Sequence, residues 1–371
     1  MAAGGRLTEL VQSTLDELLS VETARMARIS PDLAPVAQAA RDMLSGGKRF
    51  RARFCYWGWR AVRLPDPLDP MPEPAEDDGE LAAVVRVAAG VEALHAAALV
   101  HDDIIDRSAT RRGAPSAHER FAAIHRDAGW TRDAERFGES SAILLGDLLL
   151  SWADGLVRDG AAALGGRGAE AAEEFGTMRT EVTLGQYLDV LEEHAWIAQP
   201  DEDAVTRAQR VVVYKSAKYS IEAPLVIGAR LGGATAAQVE SLRRFGIPLG
   251  IAYQLRDDLL GVYGDPEVTG KPAGDDLREG KRTVLIALAR AELPGSMRSL
   301  VDDLLGDPEL DADQVEMLRR TLRDCGAVDR VERAIERNLA QAIAALAAAE
   351  LAPGARTELI ALARAASNRS A

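Results

Sequence analysis

Apolar residues recur along most of the chain at intervals of three or four positions. One apolar stripe comprises Leu10, Leu15, Leu18 and Leu19, and another comprises Leu81, Val84, Val85, Ala88, Val91 and Leu94. Residues with this spacing lie on one face of an α-helix, which can pack against other helices. We find no convincing strand of alternating apolar and polar residues, no hairpin turn and no internal repeat. The pattern predicts an all-α protein.

The helical pattern is interrupted where proline, glycine or polar residues cluster. Exposed loops are predicted near residues 64–80, 126–136 and 160–168, and a further loop from Asp265 to Gly274. The first of these is rich in proline and acidic residues, which do not favour a helix. None of the segments resembles a long linker between domains. We therefore predict that residues 1–371 form a single large domain, a helical bundle.

Composition agrees with this prediction and excludes some functions. Apolar residues make up 47% of the chain and aromatic residues only 5%. The net charge is −14, which disfavours binding to nucleic acid or to an anionic membrane surface. No uninterrupted apolar run approaches the roughly 18 to 20 residues of a membrane helix, and the N-terminus does not resemble a targeting peptide. We expect a cytoplasmic protein without a membrane span.

Three aspartates, Asp102, Asp103 and Asp106, lie at the end of an apolar segment, in the run HDDIID. Asp102 and Asp106 are four positions apart, so they lie on one face of a helix. Two carboxylates that converge in this way repel each other unless a cation lies between them. Magnesium prefers oxygen ligands and commonly takes one or two carboxylates. The alternative interpretation is a solvated helix end, where charged runs usually occur.

A second acidic cluster follows the apolar run from Ile247 to Tyr253. Gln254, Asp257 and Asp258 are three and four positions apart, again on one helix face. Two acidic clusters, each at the end of a buried helix, suggest a cavity with two facing rims. The loop that follows carries Lys271, Asp275, Asp276, Lys281 and Arg282. Cations that alternate with carboxylates suit a complex of magnesium with diphosphate.

Basic residues form three further groups. They are Lys48 and Arg51 in the turn Gly46–Arg51, Arg111 and Arg112 before a glycine, and Lys215 after a run of valines. The two arginines beside the first acidic cluster are either ion-pair partners or forks for a phosphate, which suits the geometry of a guanidinium group. Together with the acidic clusters, these groups predict a site for two polyanions and metal.

Several of these motifs occur in an order typical of a known family. The runs GGKRFR, HDDIID with RRG, and QLRDD with the later GK and DLREGK resemble motifs of the trans-isoprenyl diphosphate synthases, also called polyprenyl synthetases. GQYLD (185–189) and YKSAKYS (214–220) fall where the family has two further motifs. The resemblance, which includes the geranylgeranyl diphosphate synthases, extends from about Gly46 to Leu288. It implies a helical bundle around a central cavity.

The resemblance also implies roles for the matching residues. The isopentenyl diphosphate site would comprise Lys48, Arg51, His95 and Arg112. The allylic diphosphate site would comprise Arg111, Lys215, Lys271, Ser216 and Gln254, and Gln186 and Lys281 are further substrate-binding residues. Magnesium would be held by Asp102 and Asp106 on one rim and by Asp257 and Asp258 on the other. The expected catalytic residues are Asp102, Asp103, Asp106, Lys215 and Lys271.

His95 illustrates what the resemblance adds. It lies seven residues before Asp102, two helical turns away on the same face. Without the resemblance, it would be interpreted as a core histidine.

The implied reaction joins isopentenyl diphosphate to a dimethylallyl, geranyl or farnesyl diphosphate. Magnesium and cationic side chains stabilise the departing diphosphate, and the double bond of isopentenyl diphosphate attacks the resulting allylic cation. Apolar helices exclude water from this cation. The resemblance further implies a homodimer.

Two positions depart from the family pattern. Gly261 stands where the second acidic motif usually has its third aspartate, so one magnesium ion would have fewer direct ligands, with Asp275 or Asp276 assisting through water. Arg107 stands where many relatives have an acidic residue.

The residues before the first acidic motif bear on the length of the product. In this family, bulk four and five residues before the first aspartate limits chain length, and these positions are Ala98 and Ala97, with Leu94 one turn deeper. Small residues there predict geranylgeranyl diphosphate, with a longer polyprenyl diphosphate as the main competing product.

Two different functions share some of these sequence features. A class I terpene cyclase would have the same helical fold and acidic motif, but GGKRFR and the shortage of aromatic residues argue against it. A non-catalytic subunit of a prenyltransferase is favoured only by Gly261.

Overall fold

The computed structural model describes residues 3–63, 79–111, 113–264 and 274–367. Nearly all of these residues lie in helices, which confirms the predicted all-α class. The α-helices are α1 (Ala3–Ile29), α2 (Ala34–Leu44), α3 (Phe50–Val62), α4 (Gly79–Ile105), α5 (Ala117–Asp127), α6 (Ala134–Ala162), α7 (Gly166–Ala195), α8 (Ala204–Val211), α9 (Ala223–Leu231), α10 (Ala236–Tyr263), α11 (Asp275–Glu279), α12 (Val284–Glu292), α13 (Gly295–Leu304), α14 (Ala312–Asp324), α15 (Ala327–Ala347) and α16 (Pro353–Ser367). Short 3₁₀ turns occupy Pro31–Leu33, Trp196–Ala198 and Asp201–Asp203, and a π-helix spans Val212–Glu222.

Contacts between residues divide the chain into two compact units. The first comprises Met1–Phe175 and Pro224–Thr235, and the second comprises Gly176–Ala223 and Ala236–Ala371. The single domain expected for residues 1–371 stays a prediction.

The central helix of the first unit is α4, which packs against α6 and α3. Its side chains at Val84, Val87, Val91, Leu94 and Val100 are at most 2% exposed. An apolar stripe this wide is typical of a helix that is surrounded by others. The acidic run HDDIID therefore lies at the end of a buried helix, as predicted.

Two helices, α4 and α6, are long and apolar enough to cross a membrane by length and mean hydropathy alone. The sequence analysis considered only uninterrupted apolar runs and so did not identify them. In α4, however, 78% of the apolar window is buried within the protein, and in α6 the share is 44%. Core helices of globular proteins meet the same two criteria, so these helices do not indicate a membrane protein.

A short antiparallel hairpin follows α4. Strand β1 (Thr110–Arg111) pairs with β2 (Ala114–Pro115), and Thr110 lies opposite Pro115. Gly113 adopts a φ of 75° in the turn, which glycine tolerates without a steric penalty. The prediction that the chain contains no hairpin turn was wrong, because strands of two residues are too short to produce an alternating pattern.

The two predicted loops near 126–136 and 160–168 are shorter in the structure than expected. Residues 64–78 and 265–273 lie outside the described residues. Between α5 and α6 only residues 128–133 are not α-helical, because the Asp133 side chain accepts a hydrogen bond from Arg136 N at 2.7 Å and so caps the start of α6. Between α6 and α7 only residues 163–165 lie outside the helices.

In the second unit, α10 packs against the π-helix and α15. Arg256 Nη1 and Nη2 donate to the Glu332 carboxylate at 2.7 and 2.6 Å, and Arg256 Nε donates to Ser367 O at 3.1 Å. The bidentate ion pair joins α10 to α15. The hydrogen bond to Ser367 O joins α10 to α16. A buried cluster that includes Leu255, Leu259 and other apolar residues of α10 continues into α12 and α14.

The π-helix Val212–Glu222 was not predicted, since the sequence pattern does not distinguish it from an α-helix. Such wide turns are rare, and they commonly mark functional sites. This one contains Lys215 and Ser216, two of the predicted site residues.

Candidate active site

The first acidic cluster lies at the C-terminal end of α4. Asp106 N donates a hydrogen bond to Asp102 O at 2.8 Å, so the helical geometry continues to Asp106. The two carboxylates therefore lie on one face, and both side chains are half-buried. The carbonyl end of a helix already carries partial negative charge. Two carboxylates at that end favour the binding of a cation.

Arg111, in β1, is the partner of Asp103, which is only 1% exposed. Arg111 Nε donates to Asp103 Oδ1 at 2.8 Å, and Arg111 Nη2 donates to the same oxygen. The same Nη2 lies 3.8 Å from Asp102 Oδ2. Of the two interpretations of this arginine, the structure shows the ion pair, which holds the guanidinium group beside Asp102. The neighbouring Arg112 lies outside the described residues.

Two histidines lie on α4. His95 is half-buried, two turns before Asp102. His101 Nε2 lies 3.2 Å from Ile143 O and 3.7 Å from Asp147 Oδ1, both on α6. No role was predicted for His101 from the sequence, although it begins the run HDDIID. Its contacts fasten the acidic end of α4 to α6.

The cationic side chains of the basic turn between α2 and α3 differ in their exposure to solvent. Lys48 is exposed, whereas Arg51, in the first turn of α3, is 8% exposed. Arg49 is 6% exposed, and its Nη2 donates to Leu44 O and Gln12 Oε1. Arg49 therefore belongs to the packing of the fold, while Lys48 is open to solvent.

In the second unit, the second acidic cluster lies in the last turns of α10. Gln254 Nε2 donates to Asp258 Oδ1 at 2.7 Å, as the four-residue spacing predicts. Asp258 is 5% exposed, whereas Asp257 is exposed. Asp276, from α11, brings its carboxylate against Gly261, where a Cβ would lie 1.9 Å from Asp276 Oδ2. A carboxylate thus occupies the space beside position 261 although that position has no side chain.

The carboxyl group of Asp258 has a strongly perturbed pKa. Burial raises this pKa from 3.8 to about 8. The hydrogen bond from Gln254 acts against this shift, and the negative charges of Asp276, Asp257 and Asp189 add to it. These carboxylates therefore form one electrostatic neighbourhood, which a cation would stabilise.

Lys215 belongs to the same neighbourhood. It donates a hydrogen bond to Asp189 Oδ2 on α7. Gly185, one turn earlier on α7, allows the close approach, since a Cβ there would lie 2.4 Å from Lys215 N. The structure thus brings the motif GQYLD, with Gln186, against the π-helix that carries Lys215 and the buried Ser216. Asp189 was not predicted as a site residue, because nothing in the sequence links it to a lysine 26 residues later.

Of the remaining predicted residues, Lys281 lies just after α11. Lys281 Nζ lies 2.8 Å from Glu279 Oε2, and Lys281 N donates to Asp276 O at 3.1 Å. This lysine is therefore ion-paired with the last residue of α11. Lys271 lies outside the described residues.

The carboxylates fit magnesium. Within the described part of the chain, no three His, Cys, Asp or Glu side chains form a ready cluster for a metal ion. Magnesium does not require one, because it binds through one or two carboxylates and completes its shell with water and phosphate oxygens. Asp102 and Asp106 supply such a pair, and Asp257 and Asp258 supply further carboxylates in the last turns of α10. The raised pKa of the buried Asp258 is the observation that favours a cation there.

Comparison with known proteins agrees with this geometry. Residues 34–322 match the polyprenyl synthetase family. The chain is 35% identical to the geranylgeranyl pyrophosphate synthase of Corynebacterium glutamicum, solved with isoprenyl diphosphate and magnesium, with a TM-score of 0.89 over 98% of this chain and 99% of that one. It is 34% identical over 254 residues to the geranylfarnesyl diphosphate synthase of Aeropyrum pernix, covering 68% of this chain and 71% of the relative.

A further relative is the geranylgeranyl diphosphate synthase of Mycobacterium tuberculosis, which is 30% identical over 322 residues, or 86% of this chain and 79% of the relative. These matches confirm the resemblance that the motifs indicated. Because the family match extends over most of the chain and the relatives share 30% or more of their residues, this chain belongs to the polyprenyl synthetase family of trans-prenyltransferases.

Proposed function

We propose that this protein uses magnesium to condense isopentenyl diphosphate with an allylic diphosphate, and that its main product is geranylgeranyl diphosphate. One observation carries the proposal above all. Asp102 and Asp106 converge at the end of α4, with the Arg111 guanidinium group held beside them by Asp103. Carboxylates for a metal ion and a cationic donor for phosphate oxygens thus lie at one place.

The residues divide into metal-binding and diphosphate-binding groups. Asp102, Asp106, Asp257 and Asp258 would hold magnesium. The allylic diphosphate would bind Arg111, Lys215 and Lys271. Ser216, Gln186, Gln254 and Lys281 would line the same site. The diphosphate of isopentenyl diphosphate would bind Lys48, Arg51, His95 and Arg112.

In this mechanism the side chains bind, orient and exclude water. Magnesium, when bound, would neutralise the charge that develops on the diphosphate as it leaves. Before substrate binds, Arg111 and Lys215 are ion-paired with Asp103 and Asp189. Each cation is therefore already oriented when a diphosphate arrives. Lys48 and Arg51 fix the second substrate for attack on the allylic cation. The proton lost afterwards passes to the released diphosphate.

The predicted product rests on the small residues of α4. Ala97 is fully buried, Ala98 is half-buried and Leu94 is 2% exposed. Neither alanine places an aromatic ring beneath the allylic site, which supports a product longer than farnesyl diphosphate. A still longer product is the second candidate, because a relative that is 34% identical is a geranylfarnesyl diphosphate synthase.

We further propose a homodimer in the cytoplasm, without a membrane span and without a nucleic-acid partner. On α7, Leu184, Tyr187 and Leu191 are 58%, 63% and 38% exposed. These positions are three and four residues apart and form an apolar stripe on one helix face. Burial of this stripe by a second copy of the chain would remove it from water.

The test is to incubate the purified protein with isopentenyl diphosphate, magnesium and a dimethylallyl, geranyl or farnesyl diphosphate primer, and to identify the dephosphorylated products by chromatography. We expect geranylgeraniol as the main product. A cyclic hydrocarbon formed from the primer alone would indicate a cyclase, and no turnover without another protein would indicate a non-catalytic subunit. Farnesol as the only product from shorter primers would contradict the argument from Ala97 and Ala98.

The carboxylates are tested by substitution. Asp102→Ala is expected to lower kcat/KM at least about 100-fold, since it removes a group that supports charge stabilisation in the transition state. Asp159→Ala, an exposed aspartate on α6, serves as the matched control and should behave as the wild type. Near-normal activity of Asp102→Ala would show that this motif does not bind the metal.

A further inference from the structure

A carboxylate from α4 supports the first turn of α3. Glu92 Oε1 accepts a hydrogen bond from Ala52 N at 2.9 Å, and Glu92 is only 5% exposed. The first N–H groups of a helix have no partner within the helix, and negative charge near them is favourable. Glu92 therefore fixes the start of α3 from a neighbouring helix, 40 residues later in the chain.

The same carboxylate also pairs with the residue before α3. Glu92 Oε2 lies 3.8 Å from Arg49 Nη1, and both side chains are 5% exposed. Arg49 O accepts the first helical hydrogen bond, from Arg53 N at 3.0 Å. Through Nη2, Arg49 also reaches Leu44 O at the end of α2. Arg49 and Glu92 thus connect the end of α2, the start of α3 and the middle of α4.

The backbone of Arg49 is held in an unusual conformation. Its φ is 47°, in the left-handed region, and Gly46 and Gly47 also have positive φ values of 65° and 88°. For a residue with a side chain this conformation is sterically unfavourable. Such strain persists only where surrounding contacts hold it, and it is concentrated at functional sites. Arg49 is held by Leu44 O and Gln12 Oε1 through Nη2, and by the buried carboxylate of Glu92 through Nη1.

The strained residue lies between two of the cations expected to bind isopentenyl diphosphate. Lys48 immediately precedes it and is exposed, and Arg51 follows two residues later in the first turn of α3. A change in the backbone at Arg49 would alter the direction of one cation relative to the other. His95, another residue expected at this site, lies one helical turn after Glu92 on α4.

We propose that Glu92 is a positioning residue for isopentenyl diphosphate. It holds Arg49 in its left-handed conformation and anchors the start of α3, so that Lys48 and Arg51 are presented to one diphosphate group. Glu92 does not itself contact the substrate, because it is buried and its carboxylate is engaged with Ala52 and Arg49. This inference rests on the proposed function, since it specifies how one of the two substrate sites is built.

The test measures the KM of each substrate separately in the full-length enzyme with magnesium. Glu92→Gln keeps an oxygen for Ala52 N but loses the charge that pairs with Arg49. We expect the KM for isopentenyl diphosphate to rise about tenfold or more, because small displacements of positioning groups have effects of this size. The KM for the allylic diphosphate should change less than about threefold, which is under half of the free-energy effect expected for isopentenyl diphosphate.

Arg49→Gly provides a second variant that does not depend on the stability of the first. Glycine adopts a positive φ without strain, so the chain can still form the turn, but the link to Glu92 is lost. Its KM for isopentenyl diphosphate should also rise, and Glu92→Gln should add little when combined with it, because both act through the same contact. Glu80→Gln is the matched control, since Glu80 is an ion-paired glutamate on α4 that bonds Arg63 and Arg167.

Three outcomes would overturn the inference. The first is an unchanged KM for isopentenyl diphosphate in both variants, and the second is an equal rise in both KM values, which would show a general structural role. In either case the wild-type enzyme is active, so the proposed function survives. The third is the absence of condensation by the wild-type enzyme, which would overturn the proposed function together with this inference.

Discussion

Among single residues, Gly261 shows how a missing side chain can be replaced from another element. A Cβ at this position would lie 1.9 Å from Asp276 Oδ2 and 2.3 Å from Asp276 Cγ. The negative charge of Asp276 also contributes to the raised pKa of Asp258. A carboxylate from α11 therefore lies against position 261, where the second acidic motif has no aspartate of its own.

This contact predicts the effect of side chains at position 261. Gly261→Ala should displace Asp276 and weaken the binding of Mn²⁺, used as a spectroscopic substitute for magnesium, by about tenfold, as changes to outer ligands of metal sites typically do. Gly261→Asp should displace Asp276 in the same way but restore a carboxylate in its place. Titration of Mn²⁺ followed by electron paramagnetic resonance measures both. Unchanged affinity in Gly261→Ala would show that Asp276 has no part in the metal site.

At the scale of elements, the π-helix Val212–Glu222 depends on the close approach of α10. A Cβ at Gly250 would lie 2.5 Å from Ala217 Cα and 2.6 Å from Ala217 O. These are backbone atoms, which cannot move without a shift of the whole π-helix. A position of this kind accepts only glycine, and it brings the helix that carries Asp257 and Asp258 against the helix that carries Lys215 and Ser216.

Gly250→Ala is therefore expected to destabilise the protein by about 1–3 kcal/mol, the usual effect of overpacking. Urea unfolding followed by circular dichroism measures the change in the free energy of unfolding. Gly176→Ala is the matched control, because Gly176 also lies within a helix but has no atom within 4 Å of its would-be Cβ. There alanine should stabilise the helix by up to about 1 kcal/mol. Similar effects at both positions would argue against the close approach.

At the scale of the whole molecule, the buried Asp258 couples stability to pH and to metal. Its pKa is raised from 3.8 to about 8 in the folded protein. The folded state therefore binds more protons than the unfolded state between these values, and the free energy of unfolding falls as the pH rises through this range. Above pH 8 the full penalty of the buried charge is present, unless a cation compensates for it.

We accordingly expect the Tm measured in a chelator to fall by about 2 to 4 °C between pH 6 and pH 8.5, where ordinary carboxylates are already ionised. Magnesium should reduce this fall. Differential scanning calorimetry with and without magnesium measures it, and Asp258→Asn, which cannot ionise, should remove the part that comes from Asp258. The same fall in Asp258→Asn would assign the pH dependence to other groups.

What the sequence determined by itself was the local architecture of the site. The spacing of Asp102 and Asp106, and of Gln254 and Asp258, places each pair on one helix face whatever the rest of the chain does, because the pitch of a helix is a local property. The apolar stripes predicted the helical class for the same reason. The order of the motifs was enough to indicate the family.

Tertiary structure decided which residues complete those local arrangements. Nothing in the sequence connects Glu92 with Arg49 and Ala52, Asp189 with Lys215, or Asp276 with Gly261, since each pair meets only after helices have packed. The hairpin that carries Arg111 and the π-helix that carries Lys215 are equally invisible in the apolar pattern. Packing sets these contacts because a buried charge or an unpaired N–H group is stable only where another element supplies its partner.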